Sequence, residues 1–326
     1  MSKYLRGLLA LLALLALFTA ACSSDDDGGD SSSDTTASDG GTETQDLTLG
    51  APADCETNPF CLPGLQDVYG VDLSDGFTSL DPGLIPDALD SGEIDIALLF
   101  STSGVIADKG WVVLEDDQNM LSADNVIPVL TTELNDAYPD LAGVANDVSA
   151  GLTTENLTEL NKRFDIDAED ADAIATSFLE DNDLLPEAVD VPADGPTITI
   201  GAQDFGESAI LAEIYGQAFE AAGFPVEFQE LGGFRDIEIP AFESGEINFA
   251  PEYAASLLEF LNDSAGEATG DIDETVGLLE PYLADIGLVA LDATAAVDTN
   301  TFVVTQETSD ELGLTTLSQL ADIVGG

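Results

Sequence analysis

The side chains that most often carry out enzymatic chemistry are scarce in this chain. It has no histidine, so the commonest general base is missing and neither a Ser-His-Asp nor a Cys-His set can be assembled. Its three cysteines, Cys22, Cys55 and Cys61, are too few, without histidine, to make a zinc site a good reading. Carboxylates are the opposite case. With 65 Asp and Glu, adjacent pairs such as Asp116-Asp117 arise by chance and read as solvated faces rather than as the acid and base of a hydrolase. A Gly-x-x-x-x-Gly-Lys phosphate loop is absent, so any ATPase this chain works with is a separate protein. The expectation is a non-enzymatic binding protein with no cofactor and no metal.

The order of the chain says where it works. Lys3 and Arg6 precede an unbroken apolar run, Gly7–Phe18, and Thr19-Ala20-Ala21 then leads into Cys22. This is the pattern of a secretory signal over residues 1–21, and the run is too short to span a bilayer. Small residues followed at once by cysteine resemble a bacterial lipobox, although Thr19 stands where Leu is commoner. The resemblance implies lipidation of Cys22; the alternative is a secreted protein with an incidental cysteine. Residues 22–45 are nearly all Ser, Asp, Gly and Thr, with no means of burying a core, and read as a tether between anchor and folded domain. The expected location is the outer face of the cell membrane. In that oxidising compartment a local Cys55–Cys61 disulfide is the simplest reading.

Removing the signal takes away two cations and leaves four basic residues against 65 acidic ones, a formal net of −61. No basic patch is available for phosphates, so nucleic acid is excluded as a partner. About 280 residues remain for folding, enough for two α/β domains.

Two segments echo each other: Ala88-Leu-Asp-Ser-Gly-Glu-Ile-Asp-Ile-Ala97 and Ala241-Phe-Glu-Ser-Gly-Glu-Ile-Asn-Phe-Ala250. Each reads as a helix end, a glycine able to take the left-handed conformation, and a short buried strand. One such unit per half implies two α/β lobes of related build. Thr197–Gly201 reads as a strand, Ser208–Ala222 as a helix with apolar residues at a 3.6-residue period, and Val226–Leu231 as the next, parallel strand. Asp46–Gly50 and Trp111–Leu114 read as strands too. Leu141–Ala150, Thr154–Phe164 and Glu169–Glu180 read as amphipathic helices, and the Pro- and acid-rich Leu185–Pro196 as a connector.

Several of these motifs resemble the glycine betaine/choline/osmoprotectant-binding proteins of ABC importers, the OpuAC/ProX-like family. The run Ile200-Gly-Ala-Gln-Asp-Phe-Gly-Glu-Ser-Ala-Ile-Leu-Ala-Glu-Ile-Tyr215 is similar to the start of that family's domain, and Ala241–Tyr253 to its lobe-one signature ending in Pro-Glu-Tyr. Phe302-Val-Val-Thr-Gln-Glu-Thr308 resembles the crossing into lobe two. Segments upstream, among them Gly64–Gly70, Asn125-Val-Ile-Pro128 and Leu152–Asn161, are similar to the family's second half. The family's second half therefore comes first here. The resemblance implies a two-lobe periplasmic-binding-protein-like (type II) α/β fold in circularly permuted order, the rival being a truncated tandem protein. On this reading lobe two is residues 46–126 plus 301–326, lobe one is 127–300, and 185–196 joins the old termini.

The resemblance also implies a ligand, a small quaternary ammonium compound held by aromatic rings through cation–π attraction and methyl burial. Carried over residue by residue, Tyr253 is the cage tyrosine after Pro-Glu and Ser256 a hydroxyl position. Phe302, after Asn300-Thr301, and Phe100, before Ser101-Thr102, fall at aromatic positions. Phe205 lies in the Gln203-Asp204-Phe205 loop at a cleft edge. For each phenylalanine the rival reading is core packing. Gln203 stands where some relatives carry Lys, Asn58 where some carry Arg, Ser103 for a common Asp, and Ala123-Asp124 where some supply another tyrosine. Arg235 either orients the Gly232-Gly233 loop or pairs with an acid. The ligand-binding candidates are thus Tyr253, Ser256, Phe302, Phe100, Phe205, Gln203, Asn58, Thr102 and Asn300. The expected function is the binding component of an ABC importer, a monomer that delivers glycine betaine, choline or a similar solute to a membrane permease with its own ATPase. The alternative is a sensory surface lipoprotein on the same fold.

A net charge this large repels itself in the compact state, and added ions screen the repulsion. The melting temperature should therefore climb steadily from dilute buffer to molar salt in a thermal-shift series.

Overall fold

A computed structural model describes residues 46–324. The signal segment, Cys22 and the whole tether lie outside the described residues. Among the described residues, ten strands form two five-stranded sheets. The first holds β1 (Leu49–Ala51), β2 (Phe77–Ser79), β3 (Ile96–Phe100), β4 (Val112–Val113) and β10 (Asn300–Val304), in the order β2-β1-β3-β10-β4. The second holds β5 (Val126–Thr131), β6 (Ile198–Ala202), β7 (Val226–Glu230), β8 (Phe249–Tyr253) and β9 (Leu288–Ala290), in the order β7-β6-β8-β5-β9. Both sheets follow one plan. Three parallel strands are joined by helical crossovers, and a strand arriving from the other lobe, β10 or β5, inserts antiparallel beside the third.

Alternation along the strands explains why both faces of each sheet are covered. In β5, Val126 and Leu130 enter one core cluster while Ile127 and Val129 enter another. In β3, Ile96 and Leu98 face one side of their sheet and Ala97 the other. Strands buried on both faces carry near-continuous apolar runs, as these do. The helix Gly206–Ala222 packs the apolar positions read from sequence against β6, β7 and β8 and stops where Gly223 turns left-handed (φ 101°).

The sequence echo occupies equivalent places. Gly92 and Gly245 cap their helices at φ 71° and 73°. A polar residue three positions after each glycine ties down the start of the three-stranded parallel run in its own sheet. The Asp95 carboxylate accepts from the Thr48 N–H at 2.8 Å, and the Asn248 side-chain oxygen from the Thr199 N–H at 2.8 Å. Asp and Asn are interchangeable there because only an acceptor is required of that oxygen. Cys55 and Cys61 are joined within the loop after β1.

The chain passes between sheets twice, after β4 and after β9. The two passages run side by side: the Asp298 N–H donates to the Asp124 carbonyl at 3.0 Å, and Asn125 bridges Val297. Beyond them the lobes touch along the helices Gly104–Lys109 and Thr154–Asp165. The second helix begins with a reciprocal cap between Thr153 and Asn156. It then offers Thr158 and Asn161 to the backbone carbonyls of Ser101 (3.3 Å) and Thr102 (2.9 Å). Gly104 allows the approach, since a Cβ there would stand 2.5 Å from the Lys162 backbone nitrogen.

Gly104→Ala should therefore push these helices apart. The expected outcome is a lower melting temperature, with a cost of about 1–3 kcal/mol for forced overpacking, and a larger radius of gyration by small-angle scattering.

Candidate functional site

Three strands end at the space between the lobes, and each gives way to a helix. β3 runs out at Phe100 and leads into Gly104–Lys109. β6 leads through Gln203–Phe205 into Gly206–Ala222, and β8 ends at Tyr253, where Ala254–Leu261 begins. Carboxyl ends of strands in open α/β sheets, with helix N-termini around them, are where such folds take ligands. A cleft of about 490 Å³ lies there, lined by residues of both lobes and of both passages.

One wall is aromatic. The rings of Phe205 and Phe234 stack with centroids 6.2 Å apart, and Phe205 meets Tyr253 at 6.1 Å. Tyr253 is buried, whereas Phe234 and, on the opposite lobe, Phe100 stand largely exposed at the mouth. The Arg235 guanidinium sits 6.0 Å from the Tyr253 ring centre. That cation is already taken by Glu252. Arg235 Nε donates at 2.9 and 3.0 Å to its two carboxylate oxygens and Nη2 donates at 2.7 Å, in a fork-like pairing. Glu252 is fully buried, so the pair neutralises itself and leaves no open clamp for a ligand carboxylate.

The other wall is acidic. Glu207, in the first turn of its helix, accepts from the Tyr253 hydroxyl at 2.6 Å and from the Asn161 amide. Asp298, on the return passage, accepts from the Thr102 hydroxyl at 2.7 Å. Asp124, on the outward passage, accepts from the Ser256 N–H at 2.9 Å and from its hydroxyl. Burial pushes all three carboxyls above the usual carboxylate range. For Asp298 the nearby negative Glu207 adds to burial, and its pKa stands at about 8. The helix N-terminus beneath Glu207 favours its charged form. Two buried polar atoms at this cleft lack partners, the Gln203 amide nitrogen and the Asn161 side-chain oxygen. They are one donor and one acceptor for a ligand.

Of the residues singled out from sequence, Tyr253, Ser256, Phe100, Phe205, Gln203 and Thr102 line this cleft. Three do not. Phe302 is fully buried in the first lobe's core, because alternation along β10 turns it to the same face as Leu98, its register partner. Asn300 pairs with Phe100 across the same ladder and is not in the lining. Asn58 closes its own loop by accepting from the Phe60 N–H at 2.9 Å. Arg235 pairs with an acid, one of its two expected roles. Glu207, Asp298, Asn161, Asp165 and Phe234 also line the cleft and were not singled out. Glu207 lies inside a quoted motif, but an acid in the first turn of a helix is ordinary, and Asp298 is one of 65 acids. Neither carried a distinguishing signal.

Behind the cleft floor, Glu238 is fully buried and both its oxygens are unpartnered. Burial, and then the neighbouring Glu252, raise its carboxyl to about 10. A carboxyl raised on folding holds a proton that the unfolded chain has lost, so it stabilises at low pH and the contribution fades as pH rises toward the folded value. Stability should thus fall between about pH 4.5 and 10. Glu238→Gln should flatten that decline and raise the melting temperature more at pH 9 than at pH 5.

The family model for the substrate-binding domain of the ABC-type glycine betaine transport system matches residues 24–181 and 196–325. The glycine-betaine-binding protein of Pseudomonas aeruginosa is 26% identical over 130 residues, 40% of this chain and 42% of that protein. The carnitine transport binding protein OpuCC of Listeria monocytogenes is 29% identical over 103 residues, 32% of this chain and 33% of that protein. The glycine betaine-binding protein YehZ of Escherichia coli is 26% identical over 148 residues, 44% of this chain and 47% of that protein. Each match spans less than half of the curated relative's length. The family model takes in most of the chain, which therefore belongs to the substrate-binding domains of ABC-type glycine betaine transport systems.

Proposed function

We propose that this chain is the extracytoplasmic solute-binding component of an ABC importer for osmoprotectants, and that it takes a quaternary ammonium compound into the cleft between its lobes. The observation that carries the reading is the pairing of one aromatic wall, Tyr253, Phe205 and Phe234, with the buried carboxylate Glu207 and the half-buried Asp298 in one cleft. Methyl groups on nitrogen are satisfied by ring faces, and the positive charge by ring quadrupole and carboxylate together. The names of the curated relatives point to the same ligand class. Phe100, from the opposite lobe, is placed to complete the cage as the lobes close about the side-by-side passages.

Lipidation at Cys22, a membrane permease partner and a separate ATPase belong to this proposal. So does the circularly permuted order, with lobe two formed by residues 46–126 and 301–326. The shared strand order of the two sheets supports the permutation physically, since exchanging the halves along the sequence leaves the connectivity of each lobe intact.

Calorimetric titration of the full chain in high salt with choline, glycine betaine, carnitine and proline betaine tests the reading. At least one should bind, and Tyr253→Phe should keep most of the affinity because the ring remains. Phe205→Ala and Phe234→Ala should each weaken binding by about 0.5–2 kcal/mol, the worth of one cation–π face. Binding of none by the folded protein overturns it.

A further inference from the structure

The acidic wall holds more negative charge than its surroundings can balance. Glu207 is buried and Asp298 half-buried, and the Thr102 hydroxyl that donates to Asp298 also lies against Glu207. Among the described residues, the groups facing the pair bring no free cation. From the helix Thr154–Asp165 comes Asp165, from the outward passage Asp124, and from β8 the Tyr253 phenol and Glu252. The helix Arg235–Ser244 contributes Arg235, which Glu252 engages, and Glu238, which is acidic. Two carboxylates that share the Thr102 hydroxyl, one of them buried, do not both ionise easily; one proton settles on the pair, and its titration belongs to both.

Resting on the reading of this cleft as a cation receptor, we propose that Glu207 and Asp298 hold one proton between them before the ligand enters, and that the ligand's cationic head replaces it. The proton leaves through the open cleft to solvent, so the charge enclosed between the lobes is the same before and after. Burial raises both carboxyls, which puts the exchange within reach of neutral pH. A consequence is selection for net charge. A monocation such as choline substitutes for the proton charge for charge. A zwitterion brings a carboxylate into a wall already negative, with Arg235 committed elsewhere.

The test is calorimetry of the full chain with choline at pH 6, 7, 8 and 9.5, in constant high salt, using buffers of different ionisation enthalpy. At pH 6 and 7 the heat should depend on the buffer with a slope near one proton released per choline bound, and the slope should fall toward zero at pH 9.5. Below the titration of the pair, affinity should weaken about tenfold per pH unit. In Asp298→Asn the remaining Glu207 charge meets the ligand without a shared proton, and release should fall to near zero at pH 7. If that variant does not fold, the buffer and pH dependence of the unaltered protein decides alone. Choline binding with buffer-independent heat and pH-independent affinity overturns the exchange while leaving the receptor reading intact. Binding of no quaternary ammonium compound at any pH overturns the receptor reading, and the exchange with it.

Discussion

A carboxylate buried at the floor of the cleft, Glu207, is the constraint around which the rest is arranged. An ionised carboxylate taken out of water costs several kcal/mol unless hydrogen-bond donors meet it. The donors here come from separate parts of the chain: the Tyr253 hydroxyl from the end of β8, and the Asn161 amide from a helix capped at Thr153. Its own helix N-terminus adds a favourable field. Satisfying one charge therefore holds two strand ends and the contact helix in a fixed relation. Asn161 also donates to the Thr102 carbonyl of the other lobe, so the same side chain links the acidic wall of the cleft to the contact between lobes.

The two lobes are variations of one design, and the repeated Ser-Gly-Glu-Ile segments show why the design is stable. Each supplies a glycine for the left-handed helix cap and an acceptor side chain at the start of the parallel strands of its sheet. The lobes part company at the cleft. The second sheet carries Tyr253 and the Arg235–Glu252 pair, and the first offers Phe100 and Thr102. Such division suits a receptor in which one lobe holds the ligand and the other closes on it.

Charge works differently on the surface and in the cleft. The exposed carboxylates are screened by ions and shape solubility. Those in and behind the cleft are partly or wholly shielded from water and feel a neighbouring acid, which is why Asp298 and Glu238 sit so far above ordinary carboxylates. The few cations are placed economically. Lys109, Lys162 and Arg163 lie on the two helices where the lobes touch, each against an acid, and Arg235 is spent on Glu252.

The sequence by itself determined the α/β class, the two related halves, the helix-to-strand units and the aromatic character of Tyr253 and Phe205 at a strand end and a loop. These follow from local periodicity, glycine placement and motif context, which act over short stretches of chain. Only the tertiary structure decided which acids gather at the cleft, that Phe234 joins the aromatic wall, and that Phe302 lies in the first lobe's core. Phe100 and Phe302 look alike as residues flanking small polar neighbours. One lies at the last position of β3, where the strand runs out into the cleft, and the other two residues into β10, on the interior face. Register and depth within a sheet arise from pairing between distant segments, and no spacing along the chain encodes which of 65 carboxylates will be brought together out of water.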